Sequence, residues 1–240
     1  MPFTRPRHWV RWLLVAVAGL IVLGAAGPFV YIHFFNSAPA ALSLPPGSSP
    51  ASAPGGTPAA NTAASGPVAG TWTVGTGSVV GYRVNEVLLG QSATAVGRTT
   101  SVTGHLTIQR TTVTAAAFSV PMATIRSDKS QRDAQFDGRI MDVSQYPTGT
   151  FTLTSPIELA PLPAAGVIKA YTVRGNLTLH GATRAVTFTL TAERKGAQIE
   201  VAGHIPVLFA DYNIQNPSFA GFVTTQDHGL LEFLLVFDKT

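Results

Sequence analysis

From Thr71 onward the chain alternates apolar and polar residues with a period of two, and no other feature restricts its possible folds as strongly. Tyr171, Val173, Gly175, Leu177 and Leu179 fall on one face of their segment, and Thr172, Arg174, Asn176 and Thr178 on the other. Val186, Phe188, Leu190 and Ala192 alternate with Thr187, Thr189 and Thr191. Ile199, Val201, Gly203 and Ile205 alternate with Gln198, Glu200, Ala202 and His204. Val102, Gly104, Leu106 and Ile108 repeat the pattern, as do Phe151, Leu153 and Ile157. Successive side chains of a strand point to opposite faces, so this alternation predicts antiparallel strands with one dry face and one wet face. Many such strands with little helix between them predict an all-β sandwich or closed barrel. Gly104, Gly175 and Gly203 sit mid-strand on the dry face. Two compatible readings stay open for them: curved strands bend there, or the missing side chains leave room for a ligand. Leu230–Phe237 is apolar on both faces, which predicts a strand covered on both sides.

The N-terminal part has a different character. Trp12 to Phe35 is almost wholly apolar. As a helix it would span about 36 Å, slightly more than the roughly 30 Å hydrocarbon core of a bilayer. Arg5, Arg7 and Arg11 precede it, and no further Lys or Arg occurs until Arg83. The positive-inside rule then places residues 1–35 as a cytoplasmic N-terminus and a single-pass anchor in the cytoplasmic membrane, with the remainder outside. A cleaved signal peptide ending near Gly24–Gly27 is the competing reading. Residues 36–70 are dominated by Ala, Pro, Ser and Gly and carry no charge, so they are expected to be a disordered linker. The folded domain is expected over residues 71–240.

The pI near 9.7 suggests an anionic partner, but the three arginines of the tail supply three of the four net positive charges. Lys and Arg are scattered over the folded part, so nucleic-acid binding is not expected. The absence of Cys excludes thiolate catalysis, cysteine metal sites and disulfides. His105, His180, His204 and His228 lack metal-binding spacing, so no metal site and no required cofactor are expected. Gly75, Gly77 and Gly81 do not keep dinucleotide-fingerprint spacing, and no nucleophile elbow is present.

Residues 127–136 form a charged, helical island between strands. Ser127 or Asp128 can cap the helix, and Asp128 with Gln131 has capping-box spacing. Asp128 with Arg132 and Lys129 with Asp133 are four apart and can pair, while Phe136 and Ile140 would face the sheet. The run Ser127-Asp128, Arg132-Asp133, Phe136, Tyr146-Pro147 and Phe151 resembles the YceI-like domain family. So do Trp72-Thr73-Val74, Gly104–Ile108 and Gly175–Gly181. Many members carry a His-rich stretch where this chain has Val80–Val87. The resemblance implies an eight-stranded, antiparallel, lipocalin-like barrel with a short helix. It also implies a polyisoprenoid or isoprenoid quinone bound in the interior, and a binding role without known chemistry.

The dry faces supply the expected lining: Val102, Leu106, Phe118, Phe151, Val173, Leu177, Phe188 and Val201, with Phe136 from the helical island. Arg132 and Asp133 are the first candidates for a polar headgroup at the mouth, and Tyr212 and Asn213 the second. Phe209 to Phe222 reads as an aromatic lid or an ordinary connection. The expected partners are a lipid ligand and the membrane, and homodimerisation stays open. The alternatives are a barrel acting as a protein-interaction scaffold and, less favoured, a lipid-metabolising enzyme using Arg132 and Asp133.

Overall fold

A computed structural model describes residues 12–13, 15–17, 38–45, 67–88, 90–218 and 223–240. Most of the expected anchor, much of the linker and Phe219–Phe222 lie outside these residues. Among the described residues no helix is long and apolar enough to cross a membrane.

The strands in chain order are β1 (Gly70–Val74), β2 (Val79–Leu88), β3 (Gln91–Thr99), β4 (Thr103–Gln109), β5 (Thr112–Pro121), β6 (Arg126–Ser127), β7 (Thr148–Leu153), β8 (Ile157–Glu158), β9 (Lys169–Leu179), β10 (Ala182–Lys195), β11 (Gln198–Leu208), β12 (Val223–Thr225) and β13 (His228–Lys239). A short helix α1 (Ser130–Gln135) precedes a single π-helical turn, Phe136–Ile140. Eight strands, β1-β4-β5-β7-β9-β10-β11-β13, form an antiparallel ring that closes because β13 pairs with both β11 and β1. Closure removes the exposed edges that an open sheet would carry. The β2–β3 hairpin joins the same edge of β13 next to β1: Trp72–Val74 lie opposite Phe237–Lys239, and Val79–Arg83 opposite Leu230–Leu234.

The period-two pattern lands as expected. Along β9, Tyr171, Val173, Gly175, Leu177 and Leu179 are buried and alternate with more exposed residues. The β9–β10 turn is His180-Gly181, both at positive φ (45° and 74°), as a two-residue type I′ hairpin requires. The His180 ring packs edge-on against Tyr146 at 4.5 Å.

The three dry-face glycines have a specific cause. A Cβ on Gly104 would stand 2.4 Å from the Phe118 ring, one on Gly175 2.2 Å from Phe151, and one on Gly203 2.8 Å from Phe233. Gly104 faces Phe118 across the β4–β5 pair, and Gly203 faces Phe233 across β11–β13. A phenylalanine ring lies over each glycine, as when an aromatic covers a neighbouring glycine in a curved sheet. The room they leave is taken by protein, so the ligand-space reading of these glycines does not hold.

The helix start also differs from the capping-box expectation. Lys129 is the N-cap residue and makes no side-chain capping bond. Asp133 instead turns back, and its Oδ1 accepts hydrogen bonds from the backbone N–H of Ser127 at 2.8 Å and from the Ser127 hydroxyl at 2.7 Å. That link ties the helix to β6.

Candidate ligand cavity

The dry faces enclose a cavity of about 620 Å³ that runs along the barrel interior. This is within the usual range for small-molecule sites, roughly 300–1,000 Å³. Ten of the twelve residues expected to bind ligand line it: Val102, Leu106, Phe118, Arg132, Phe136, Phe151, Val173, Leu177, Phe188 and Val201. Asp133 and Tyr212 are not in the lining. Asp133 is engaged with Ser127, and Tyr212 is 2% exposed with its buried hydroxyl unpartnered among the described residues. Asn213 follows Tyr212 with a left-handed φ of 56° and ends the short helical turn Phe209–Tyr212. Of the expected lid, Phe209, Ile214 and Pro217 reach the cavity.

Five phenylalanines form a connected aromatic belt across the interior. Phe237 contacts Phe118 at 5.8 Å between centroids and Phe118 contacts Phe151 at 6.4 Å. Phe151 meets Phe188 at 5.7 Å, and Phe188 meets Phe233 at 5.9 Å. Such a wall offers large, stiff apolar surface and no hydrogen bonds. It selects for length and apolarity by burial, worth roughly 25 cal/mol per Å² removed from water.

The end beneath α1 is polar. Glu86 and Thr225 face each other across the β2–β12 pair, and both line the cavity. Arg132 reaches toward them from α1, its Nη2 lying 3.6 Å from Glu86 Oε1, and it also pairs with Asp128 one helical turn before it. Gln131, Gln135 and Arg139 complete this end, with Arg139 donating to the Pro217 carbonyl at 3.3 Å. Among the described residues the buried Thr225 hydroxyl has no hydrogen-bond partner. A buried hydroxyl left unpaired costs about 1–3 kcal/mol. Glu86 is held above the usual carboxylate range by burial, with Asp128 adding to the rise and Arg132 opposing it. Glu86, Gln131, Gln135, Arg139 and Thr225 escape sequence reasoning because nothing in their spacing marks them. They meet only when β2, β12 and α1 converge.

Tyr82 links this end to the barrel wall, stacking on Phe136 at 5.1 Å. Burial raises its phenol from 10.0 to about 12; Arg132 opposes that rise, while Asp133, Glu86 and Asp128 add to it. The folded state therefore keeps a proton that the unfolded chain loses near pH 10. Tyr82 leaves stability unchanged below pH 10 and is expected to lower it by roughly 2–3 kcal/mol between about pH 10 and 12. Denaturant unfolding across that range in the wild type and in Tyr82→Phe checks this. An equally steep decline in the variant would refute it.

The sequence pattern of the YceI-like domain family matches residues 72–237. The chain belongs to the YceI-like domain family. The matched span covers nearly the whole barrel, from Trp72 in β1 to Phe237 in β13. Against curated protein sequences the chain finds no match. Among solved structures, a polyisoprenoid-binding domain from Saccharophagus degradans implicated in plant cell wall breakdown superposes with a TM-score of 0.59. It covers 72% of this chain and 99% of its own at 16% identity. BcnA from Burkholderia cenocepacia superposes with a TM-score of 0.51 over 69% of this chain and 95% of its own at 20% identity. At these identities the likeness is one of fold.

Proposed function

We propose that this YceI-like protein holds a polyisoprenoid or an isoprenoid quinone in the barrel, tail along the aromatic belt and any headgroup at the Glu86–Arg132–Thr225 end. The observation that carries this reading is a mainly apolar cavity of about 620 Å³ with a cluster of polar groups, Glu86, Gln131, Arg132, Gln135, Arg139 and Thr225, at its α1 end, and Glu193 and Arg194 of β10 also in its lining. The barrel's likeness to a polyisoprenoid-binding domain supports it. A binder is favoured over an enzyme because Asp133, the acid that a catalytic pair with Arg132 would need, is bonded to Ser127 outside the cavity lining. The apolar run Trp12–Phe35, with arginines only on its N-terminal side, supports an anchor in the cytoplasmic membrane and a barrel on its outer side. The protein then stores, shields or carries its lipid beside the bilayer.

Native mass spectrometry of the detergent-extracted full chain, followed by organic extraction, tests the binding role. A stoichiometric adduct of isoprenoid mass is the expected result. A bare polypeptide mass, unchanged after incubation with quinones and polyprenols, would leave the barrel as a scaffold.

A further inference from the structure

Glu232 stands on the outer face of β13, yet its side chain is only 4% exposed. Its partner across the β13–β2 pair is Gly81, and Gly81 is paired on its other side with Arg98 of β3. Gly81 has no side chain, so Arg98 can reach across it: a Cβ there would stand 2.9 Å from Arg98 Cγ. Arg98 donates from Nε and Nη2 to Glu232 Oε1 at 3.0 and 2.7 Å. Arg83 donates from Nε to Oε2 at 3.1 Å. One buried carboxylate thus holds two guanidinium forks in fixed orientations.

The same two guanidinium groups grip the chain's own N-terminal arm. Arg83 Nη2 donates to the carbonyl of Pro39 at 2.7 Å, and Arg98 Nη2 donates to the carbonyl of Ala40. The backbone N–H of Leu42 points at Glu232 Oε2 from 3.5 Å. Leu44 is buried, at 7% exposure, although it lies well before the first strand. On the same outer wall Ala202 and Val236 are buried at 2% and 7%. The outer face of Leu230–Phe237 is therefore covered at Glu232 and Val236, while Leu230 and Leu234 are half-buried. Residues 38–45 depart from the disorder expected across 36–70, because carbonyls met by charged donors and a buried leucine offset the entropy of ordering a short segment.

We infer that residues 38–45 are a clamp, an extended segment of the arm seated in a built site on the outer wall, which holds the barrel directly at its anchor. The distance consequence rests on the membrane anchoring proposed above. A free linker of residues 36–70 would let the barrel range up to about 120 Å from the membrane at full stretch. Fixing Pro39 to the wall leaves about four residues after Phe35, a reach of about 14 Å. The clamp turns a leash into a mount, so the barrel meets the bilayer with a restricted face.

Two variants test this in the full chain: Leu44→Asp, and replacement of residues 38–45 by a Gly/Ser segment of equal length. Neither alters the barrel, whose thermal transition serves as the folding control. In detergent, limited proteolysis of the arm is expected to be about tenfold faster or more in both variants than in the wild type, the ratio for losing a contact worth about 1.4 kcal/mol. Equal cleavage rates in all three proteins would overturn the clamp. In vesicles of phosphatidylglycerol and phosphatidylcholine, a dye on Thr187→Cys, the chain's only cysteine, reports energy transfer to labelled lipids. Transfer is expected to be high in the otherwise unaltered chain and to fall in both variants. Equal transfer in all three would overturn the mount. Failure of the chain to float with vesicles would sink the anchor and the mount with it, while the proteolysis result in detergent still decides the clamp.

Discussion

Replacing Gly175 by Ala is expected to destabilise the barrel by about 2–3 kcal/mol, the cost of forcing a methyl group against a ring and a strand backbone. The new Cβ would lie 2.2 and 2.4 Å from two carbons of the Phe151 ring and 2.7 Å from the Thr152 carbonyl oxygen. The ring is flanked by Phe118 and Phe188 and can yield only toward the cavity it lines, whereas the Thr152 carbonyl belongs to the strand backbone and cannot yield. For a domain of this size each kcal/mol lowers Tm by about 2–4 °C, so a fall of roughly 4–12 °C is expected. Truncating the ring separates the steric cause from a loss of backbone freedom. Gly175→Ala combined with Phe151→Ala should be more stable than the sum of the single changes predicts, by at least about 1 kcal/mol, as for residues in direct contact. Additive effects in calorimetric or denaturant unfolding would show that the ring is not what requires the glycine.

Ala116→Trp should abolish lipid retention while leaving the barrel folded. Ala116 lies on β5, lines the cavity, and sits two residues before Phe118 on the same face. An indole there projects into space that the proposed tail would occupy. A tryptophan side chain covers about 150–250 Å², and displacing even 150 Å² of ligand contact at roughly 25 cal/mol per Å² removes about 4 kcal/mol. That corresponds to nearly a thousandfold in Kd. Filling unoccupied apolar space should leave Tm unchanged or raised. Titration of a quinone or polyprenol into wild type and variant, with thermal unfolding as the control, decides the matter. Undiminished affinity in a folded Ala116→Trp protein would place the ligand outside the cavity.

The lining was legible before the structure because a strand writes its buried face into every second residue. Val173, Leu177, Phe188 and Val201 could be assigned to the interior from alternation alone, and all four line the cavity. The glycines show the limit of that reasoning. Their position on the dry face was visible, but the rings that require them come from other strands: Phe118 across from Gly104, Phe233 across from Gly203. The helical island shows the same limit. Its charges were visible, yet Arg132 turned to the cavity and Asp133 to Ser127, one residue apart on the same helix.

The sequence by itself determined β4, β7, β9, β10, β11 and β13 and most of their inward faces, the short helix and the family, because periodicity and local motifs are properties of neighbouring residues. Only the tertiary structure decided how the ring closes through β13, which polar groups gather around Glu86 and Thr225, and that Pro39 and Ala40 lie against Arg83 and Arg98. Each of these joins segments far apart in the chain. Their pairing depends on register and curvature accumulated around the whole barrel, which no local window of sequence contains.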